Sequence, residues 1–80
     1  MIAASLGHSA EIKMSLRIGD RELAVREVGP GDLVLSQPTV LRAPSAELLI
    51  SIDGETRCCP IEILDVGGES RDIVRYRPLR

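Results

Sequence analysis

Two adjacent cysteines, Cys58 and Cys59, are the residues of this sequence whose chemistry is most open to interpretation. Thiols can bind a metal, exchange electrons, form a disulfide or fill a core. A structural zinc site needs four ligands, and the one histidine, His8, stands in a separate segment without a further thiol. A nucleophilic cysteine needs a neighbouring base, which this pattern does not supply. The sequence therefore predicts neither a metal site nor a catalytic thiol.

The remaining interpretation is that both cysteines are packing groups on a β-strand. Neighbouring side chains of a strand point to opposite faces, so the two sulfurs diverge, and a bond between them would close a strained ring. Hairpin pairing places Leu48 opposite Cys59. We therefore expect both thiols to fill space, with Cys59 the more buried because it shares the face of Leu48.

Arginines near the end of the chain form a second candidate site. Arg71, Arg75 and Arg77 share the parity of one strand face and could bind a phosphate-bearing small ligand, with Arg17 and Arg21 as further candidates. The alternative is a charged strand face that stays in solvent and discourages edge-to-edge aggregation, and it is the interpretation that we favour.

Other known motifs for phosphate binding and catalysis are incomplete in this sequence. The Gly67-Gly68 stretch lacks the lysine and the following helix of a phosphate-binding loop, so it indicates a turn. Ser5, His8 and Ser9 lie in a segment with no regular pattern, which offers no scaffold for a catalytic pair. The sequence thus predicts no catalytic residue, no metal and no cofactor, and we expect the protein not to be an enzyme.

The elements that position these residues are strands. Residues 12–18 alternate apolar and polar side chains, Gly19-Asp20 fits a two-residue type II′ turn, and residues 21–28 form the returning strand. The expected cross-strand pairs are Leu16 with Leu23, Met14 with Val25 and Arg17 with Glu22.

A second hairpin is predicted around Asp53-Gly54, and residues 46–52 are the clearest candidate for a central strand. Pairing outward from the turn gives four cross-strand pairs: Ser51 with Thr56, Ile50 with Arg57, Leu49 with Cys58 and Leu48 with Cys59. Pro60 restricts the returning strand to an edge or a bulge, because proline cannot donate to a ladder.

Shorter strands are expected at residues 33–35 and 71–76, with a proline-bracketed crossover or edge at residues 39–43, and no window has the pattern of a useful amphipathic helix. The predicted fold is all-β: a small antiparallel sandwich or partly open barrel of about six strands built from two hairpins. Residues 1–11 are expected to be a loosely ordered leader and residues 12–80 a single domain.

Composition excludes several classes of function. Twelve acidic and ten basic residues give a net charge of −2, and a single tyrosine is the only aromatic side chain, so a nucleic-acid partner is not expected. No stretch is long and apolar enough to span a membrane, and the first ten residues lack the pattern of a signal peptide. We therefore expect a cytoplasmic protein without a membrane partner.

Two patches resemble a PilZ domain, a β-barrel family that binds cyclic di-GMP. The family carries an R-x-x-x-R motif and a D/N-x-S-x-x-G motif. Here Arg17 and Arg21 match the first motif but span the hairpin turn, and Asp65 matches the start of the second, whereas Gly67 replaces its serine and Ser70 its last glycine. The resemblance implies a ligand site of phosphate-binding arginines.

The stretch from Gly31 to Ile61 resembles short uncharacterised bacterial all-β proteins with an apolar-D-G-E-x-R hairpin, a resemblance that implies no activity.

A core this small leaves only about 3 to 5 kcal/mol of net stability, which association commonly supplements. We therefore expect a non-catalytic interaction or accessory module that self-associates or binds a protein partner through a strand edge. The alternative is a sensor of a cyclic-dinucleotide type of ligand that uses the arginines.

Overall fold

The structure is a computed structural model, and it describes residues 11–79. Residues 1–10 of the expected leader, including His8, lie outside the described residues. Six antiparallel strands and no helix make up the described chain. The strands are β1 (Ile12–Ile18), β2 (Arg21–Val28), β3 (Asp32–Thr39), β4 (Ser45–Ile52), β5 (Glu55–Ile63) and β6 (Arg71–Pro78).

The six strands form one closed barrel in the order β1-β2-β3-β6-β5-β4. The all-β prediction is confirmed. Closure comes from β1 pairing with β4, which brings the two hairpins side by side. In this order β1 and β6 lie on opposite walls of the barrel, so Arg17 of β1 is separated from the arginines of β6.

Both hairpin turns have the backbone that their sequences predict. Gly19 has a φ of 63° and begins a type II′ turn, while Asp53 and Gly54 have φ values of 51° and 87°, as a type I′ turn requires. The predicted pairs of the second hairpin and the Leu16–Leu23 and Arg17–Glu22 pairs of the first are all observed.

One predicted pair of the first hairpin is wrong. The pairing of β1 with β2 ends at Ser15 opposite Ala24, so Met14 has no partner on β2 and pairs only with Ile50 of β4, on the other side of β1. The pairing ends next to a register shift in β2 directly after Val25, and such a bulge bends the strand and disrupts its ladder locally.

The barrel interior is filled by inward-facing aliphatic side chains and one tyrosine. The buried set is Leu16, Ile18, Val25, Leu33, Leu35, Leu41, Ala46, Leu48, Ile61, Ile63, Val74 and Tyr76. Residues 40–44 form the expected irregular crossover, and Leu41 anchors it in the interior. The amide of Gly67 donates a 2.6 Å hydrogen bond to the Leu41 carbonyl, which fixes the crossover against the loop that precedes β6.

Candidate functional site

One edge of β5 is unpaired over about half of the strand. On one side β5 pairs with β4 from Glu55 to Glu62, but on the other side it pairs with β6 only from Ile61 onward. The last contact on that side is a 2.9 Å hydrogen bond from the Leu79 amide to the Pro60 carbonyl. Residues 55–59 are therefore an open strand edge within the described chain. Of the two outcomes predicted from Pro60, an edge or a bulge, the structure shows an edge, because the contact with the β6 side ends at this residue and no register shift interrupts the pairing with β4.

The turn geometry determines which backbone groups this edge presents. A two-residue turn makes Ile52 and Glu55 a hydrogen-bonded pair, and hydrogen-bonded pairs alternate along an antiparallel ladder. Glu55, Arg57 and Cys59 therefore direct their amides and carbonyls toward β4. Thr56 and Cys58 direct theirs outward, so the edge offers two donors and two acceptors to an incoming strand.

The open edge belongs to a three-stranded extension of the barrel wall. We call the part formed by residues 12–15, 49–52 and 55–59 the arm. The side chains on its inner face continue the rows that fill the core, but they are no longer covered by the opposite wall. Ile12 is 55% exposed and Ile52 is 46% exposed. Met14 and Ile50 are half-buried and form the transition to the core.

The two cysteines lie on the arm, and the structure corrects their predicted role. Both are free and exposed. Cys59 lies opposite Leu48 and on its face, as predicted, but Leu48 is buried and Cys59 is not. The expectation that Cys59 packs in the core is wrong because β6 ends at Pro78, opposite Ile61, and Leu79 reaches only as far as Pro60. No described strand therefore lies beside Cys59 on that side. Residues 11–79 contain no cluster of three or more side chains able to hold a metal.

The tip of the arm is tied together by Asp53. Its carboxylate accepts a 3.0 Å hydrogen bond from the Glu11 amide, and its own amide donates one of 2.9 Å to the Glu11 carbonyl. These bonds extend the pairing of β1 with β4 to the turn. The arm is therefore a continuous sheet up to its end, and its edge is held in an extended conformation.

Two opposite charges stand on the inner face of the arm beside the open edge. Glu55 and Arg57 are exposed and lie opposite Ile52 and Ile50. Neither forms an ion pair with another described residue, in contrast to five other cations: Lys13, Arg17, Arg71, Arg75 and Arg77. The open edge thus carries one acid and one base that are available to a partner.

The predicted arginine site is largely neutralised within the chain. Arg75 holds Asp65 through its Nη2, 2.8 Å from Oδ1, and through its backbone amide, 3.1 Å from Oδ2. Arg71 Nη1 lies 3.9 Å from the same carboxylate. The hydrogen bonds from Arg75 lower the pKa of Asp65 to about 2, and the same pairing raises the pKa of Arg75. Among the buried side-chain nitrogen and oxygen atoms of the described residues, Arg71 Nε is the one without a hydrogen-bond partner.

The other predicted members of this site are paired or distant. Arg77 Nε donates a 2.6 Å hydrogen bond to Glu62, and Arg17 forms an ion pair with Glu47 that raises the pKa of the arginine. Arg17 lies on β1, on the wall opposite β6, and Arg21 begins β2, which β3 separates from β6. The structure therefore brings Arg71 and Arg75 together around Asp65, whereas the two arginines that match the first PilZ motif lie elsewhere.

Comparison with protein-family models, with curated protein sequences and with solved structures finds no match to this chain. Within residues 11–79 there is no helix of the length and hydrophobicity needed to cross a bilayer. The arm, with its open edge, is the candidate site for binding; in the sequence only Pro60 indicated this edge.

Proposed function

We propose that this protein is a non-catalytic interaction module that binds a protein partner by strand addition to the open edge of β5, residues 55–59. The observation that carries the proposal is the unpaired edge, which adjoins an exposed apolar face of the same sheet. Backbone hydrogen bonds to an incoming strand supply affinity in this mode of binding, and neighbouring side chains supply specificity.

Protection of the edge is limited to its end. Proteins commonly blunt an exposed edge with proline, lysine, a bulge or a covering segment. Pro60 removes a donor only where β6 already ends, and no register shift interrupts the pairing of β5 with β4. The outward groups of Thr56 and Cys58 stay available, which supports a role for this edge in binding rather than a merely tolerated end of the sheet.

The proposal assigns no catalytic chemistry and no cofactor. The acids Asp65 and Glu62 are bound by arginines instead of converging on a cavity. We further propose a cytoplasmic location, because two exposed free thiols suit a reducing compartment.

The competing function, a sensor of phosphorylated ligands, is less well supported. A phosphate at Arg75 or Arg77 would have to displace Asp65 or Glu62, both of which accept short hydrogen bonds. The displaced carboxylates would remain close to the ligand and repel it. The observation in favour of such a ligand is the buried Arg71 Nε, which has no hydrogen-bond partner among the described residues.

A proline at position 56 tests the proposed function. Thr56→Pro removes an amide that points away from β4, so it blocks strand addition without removing a ladder hydrogen bond of the hairpin. Thr56→Val is the matched control, because it alters the side chain and keeps the amide. Both variants are first compared with the wild type by thermal unfolding.

Each form then serves as bait for proteins from the native host, quantified by mass spectrometry. We expect the wild type and Thr56→Val to retain a common set of partners that Thr56→Pro loses. Partners retained equally by all three folded baits would overturn binding through this edge.

A further inference from the structure

We propose that the strand that fits this edge belongs to a second copy of the chain, so that two β5 strands pair antiparallel about a two-fold axis at Thr56. The proposal rests on the open edge that carries the proposed function and specifies its occupant. The length of the edge, the direction of its backbone groups and the two charges beside it favour this occupant.

Backbone direction limits the possible registers. In an antiparallel pair, a residue whose amide and carbonyl point toward the partner strand must face a residue that points back. Even-numbered residues of the edge point outward, as shown for Thr56 and Cys58. Symmetric pairing therefore must centre on a residue, and the candidates are Glu55, Thr56, Arg57 and Cys58.

The end of β6 removes two of these registers. Centring on Cys58 would place Thr56 of the second copy opposite Pro60, and centring on Arg57 would place Gly54 of the second copy there. The position beside Pro60 is already taken by Leu79, whose amide donates to the Pro60 carbonyl. Both registers would therefore drive the incoming strand into the end of β6.

Electrostatic interactions favour one of the two registers that remain. Centring on Glu55 sets two carboxylates directly opposite each other, which is destabilising. Centring on Thr56 sets Glu55 of each copy opposite Arg57 of the other, and Cys58 opposite Gly54. The Glu55–Arg57 pairs fall at non-hydrogen-bonded positions, where opposing side chains are closest. The register at Thr56 is thus the one that avoids β6 and satisfies both charges.

The same register also organises the apolar surface of the arm. A two-fold axis that relates antiparallel edge strands is perpendicular to the sheet, so equivalent faces lie on the same side. The dimer would contain a continuous six-stranded sheet, β1-β4-β5 followed by β5-β4-β1 of the second copy. Ile12 and Ile52 of both copies then line one face, which provides apolar area in addition to the edge hydrogen bonds.

Sedimentation equilibrium under reducing conditions tests the dimer. Measurements run between about 10 μM and about 1 mM, a range that covers small and weak interfaces. We expect the mass of the wild type to rise toward twice the monomer value. Arg57→Glu and Glu55→Arg should each raise the dissociation constant about tenfold or more, because each replaces two attractive cross-strand pairs with repulsive ones. The double variant Glu55→Arg/Arg57→Glu should restore dimerisation.

The register itself is tested by crosslinking. In a background that carries Cys58→Ser and Cys59→Ser, Thr56→Cys should form an intermolecular disulfide on mild oxidation, because α-carbons of a directly opposed hydrogen-bonded pair are about 5.5 Å apart. Ser45→Cys, an exposed position on β4 outside the arm, is the control and should not crosslink.

A wild-type chain that stays monomeric over the whole range would overturn the dimer. A dimer insensitive to both charge reversals, or one that the double variant fails to restore, would overturn it as well. If the chain is monomeric while Thr56→Pro still loses captured partners that Thr56→Val retains, self-pairing is wrong and strand addition by another protein stands. If neither self-association nor capture depends on position 56, both proposals fail.

Discussion

The phenolic hydroxyl of Tyr76 donates a 2.6 Å hydrogen bond to the carbonyl of Gly29. This bond ties the only aromatic side chain of the sequence, on β6, to the turn that joins β2 and β3. The Tyr76 amide donates a second bond, of 3.1 Å, to the carbonyl of Gly31 in the same turn. The turn is therefore attached to the barrel wall by both the backbone and the side chain of one residue.

Removing the phenolic hydroxyl should destabilise the barrel moderately. Tyr76→Phe keeps the ring in the core and leaves the Gly29 carbonyl without its partner, so we expect a loss of about 1 kcal/mol in the free energy of unfolding. Urea denaturation measures the change. Thr39→Val is a control, because its hydroxyl bonds only a local carbonyl, that of Gln37. Equal stability of Tyr76→Phe and the wild type would mean that the bond contributes nothing.

The Asp65 carboxylate should make stability depend on pH in the acid range. Arg75 lowers its pKa from 3.8 to about 2 in the folded protein. A depressed folded-state pKa gives stability that is present above the unfolded pKa and lost as the pH falls through the folded one. We therefore expect the wild type to lose stability between about pH 4 and about pH 2.

Asp65→Asn provides the comparison for this effect, because it removes the titrating group and keeps the size of the side chain. The variant should be less stable than the wild type at neutral pH, and the difference between the two should shrink on acidification. Carboxyl chemical shifts measured by NMR against pH give the midpoint for Asp65 directly. A midpoint near the ordinary value would contradict the pairing with Arg75.

Truncating a core leucine should unfold much of the protein. Leu33 is fully buried, and a buried Leu→Ala change costs about 2 to 5 kcal/mol, which equals most of the stability that a core of this size provides. Ile73→Ala on β6 is the matched control, since Ile73 is 57% exposed and should lose little. Thermal unfolding monitored by circular dichroism distinguishes the two. A folded Leu33→Ala protein with an unchanged midpoint would contradict the assigned core.

Local signals predicted the hairpins, and non-local pairing decided the rest of the fold. Gly19-Asp20 and Asp53-Gly54 restrict backbone angles within a few residues, so both turns and the register of β4 with β5 followed from the sequence. The pairing of β1 with β4 joins segments that no turn connects, and the alternation of each strand is compatible with several neighbours. The sequence therefore predicted a sandwich or a partly open barrel, and the closure of the barrel is seen only in the structure.

For the candidate site, too, local sequence features predicted some properties, whereas others depend on non-local pairing. Pro60 indicated an edge from its missing donor alone, but which residues stay open depends on where β6 ends. The alternation of side chains along a strand correctly placed Cys59 on the face of Leu48. This alternation does not determine which residues cover that face. The arginines of β6 were recognised from their spacing, whereas their neutralisation by Asp65 and Glu62 depends on the conformation of the loop and on the register of β5 with β6.

The exposure of both cysteines gives a prediction that separates the observed arm from a packed one. Cys58 and Cys59 are free and exposed on opposite faces of β5, so both should react with a thiol reagent in the native protein. We expect two equivalents of thiol to be modified by Ellman's reagent without denaturant, each within a few-fold of its rate in the unfolded chain. Cys58→Ser and Cys59→Ser assign the two reactions. A Cys59 thiol packed in the core would react only after unfolding. The wild type would then show one fast equivalent of thiol, and Cys59→Ser would keep it. That result would contradict the open end of the arm.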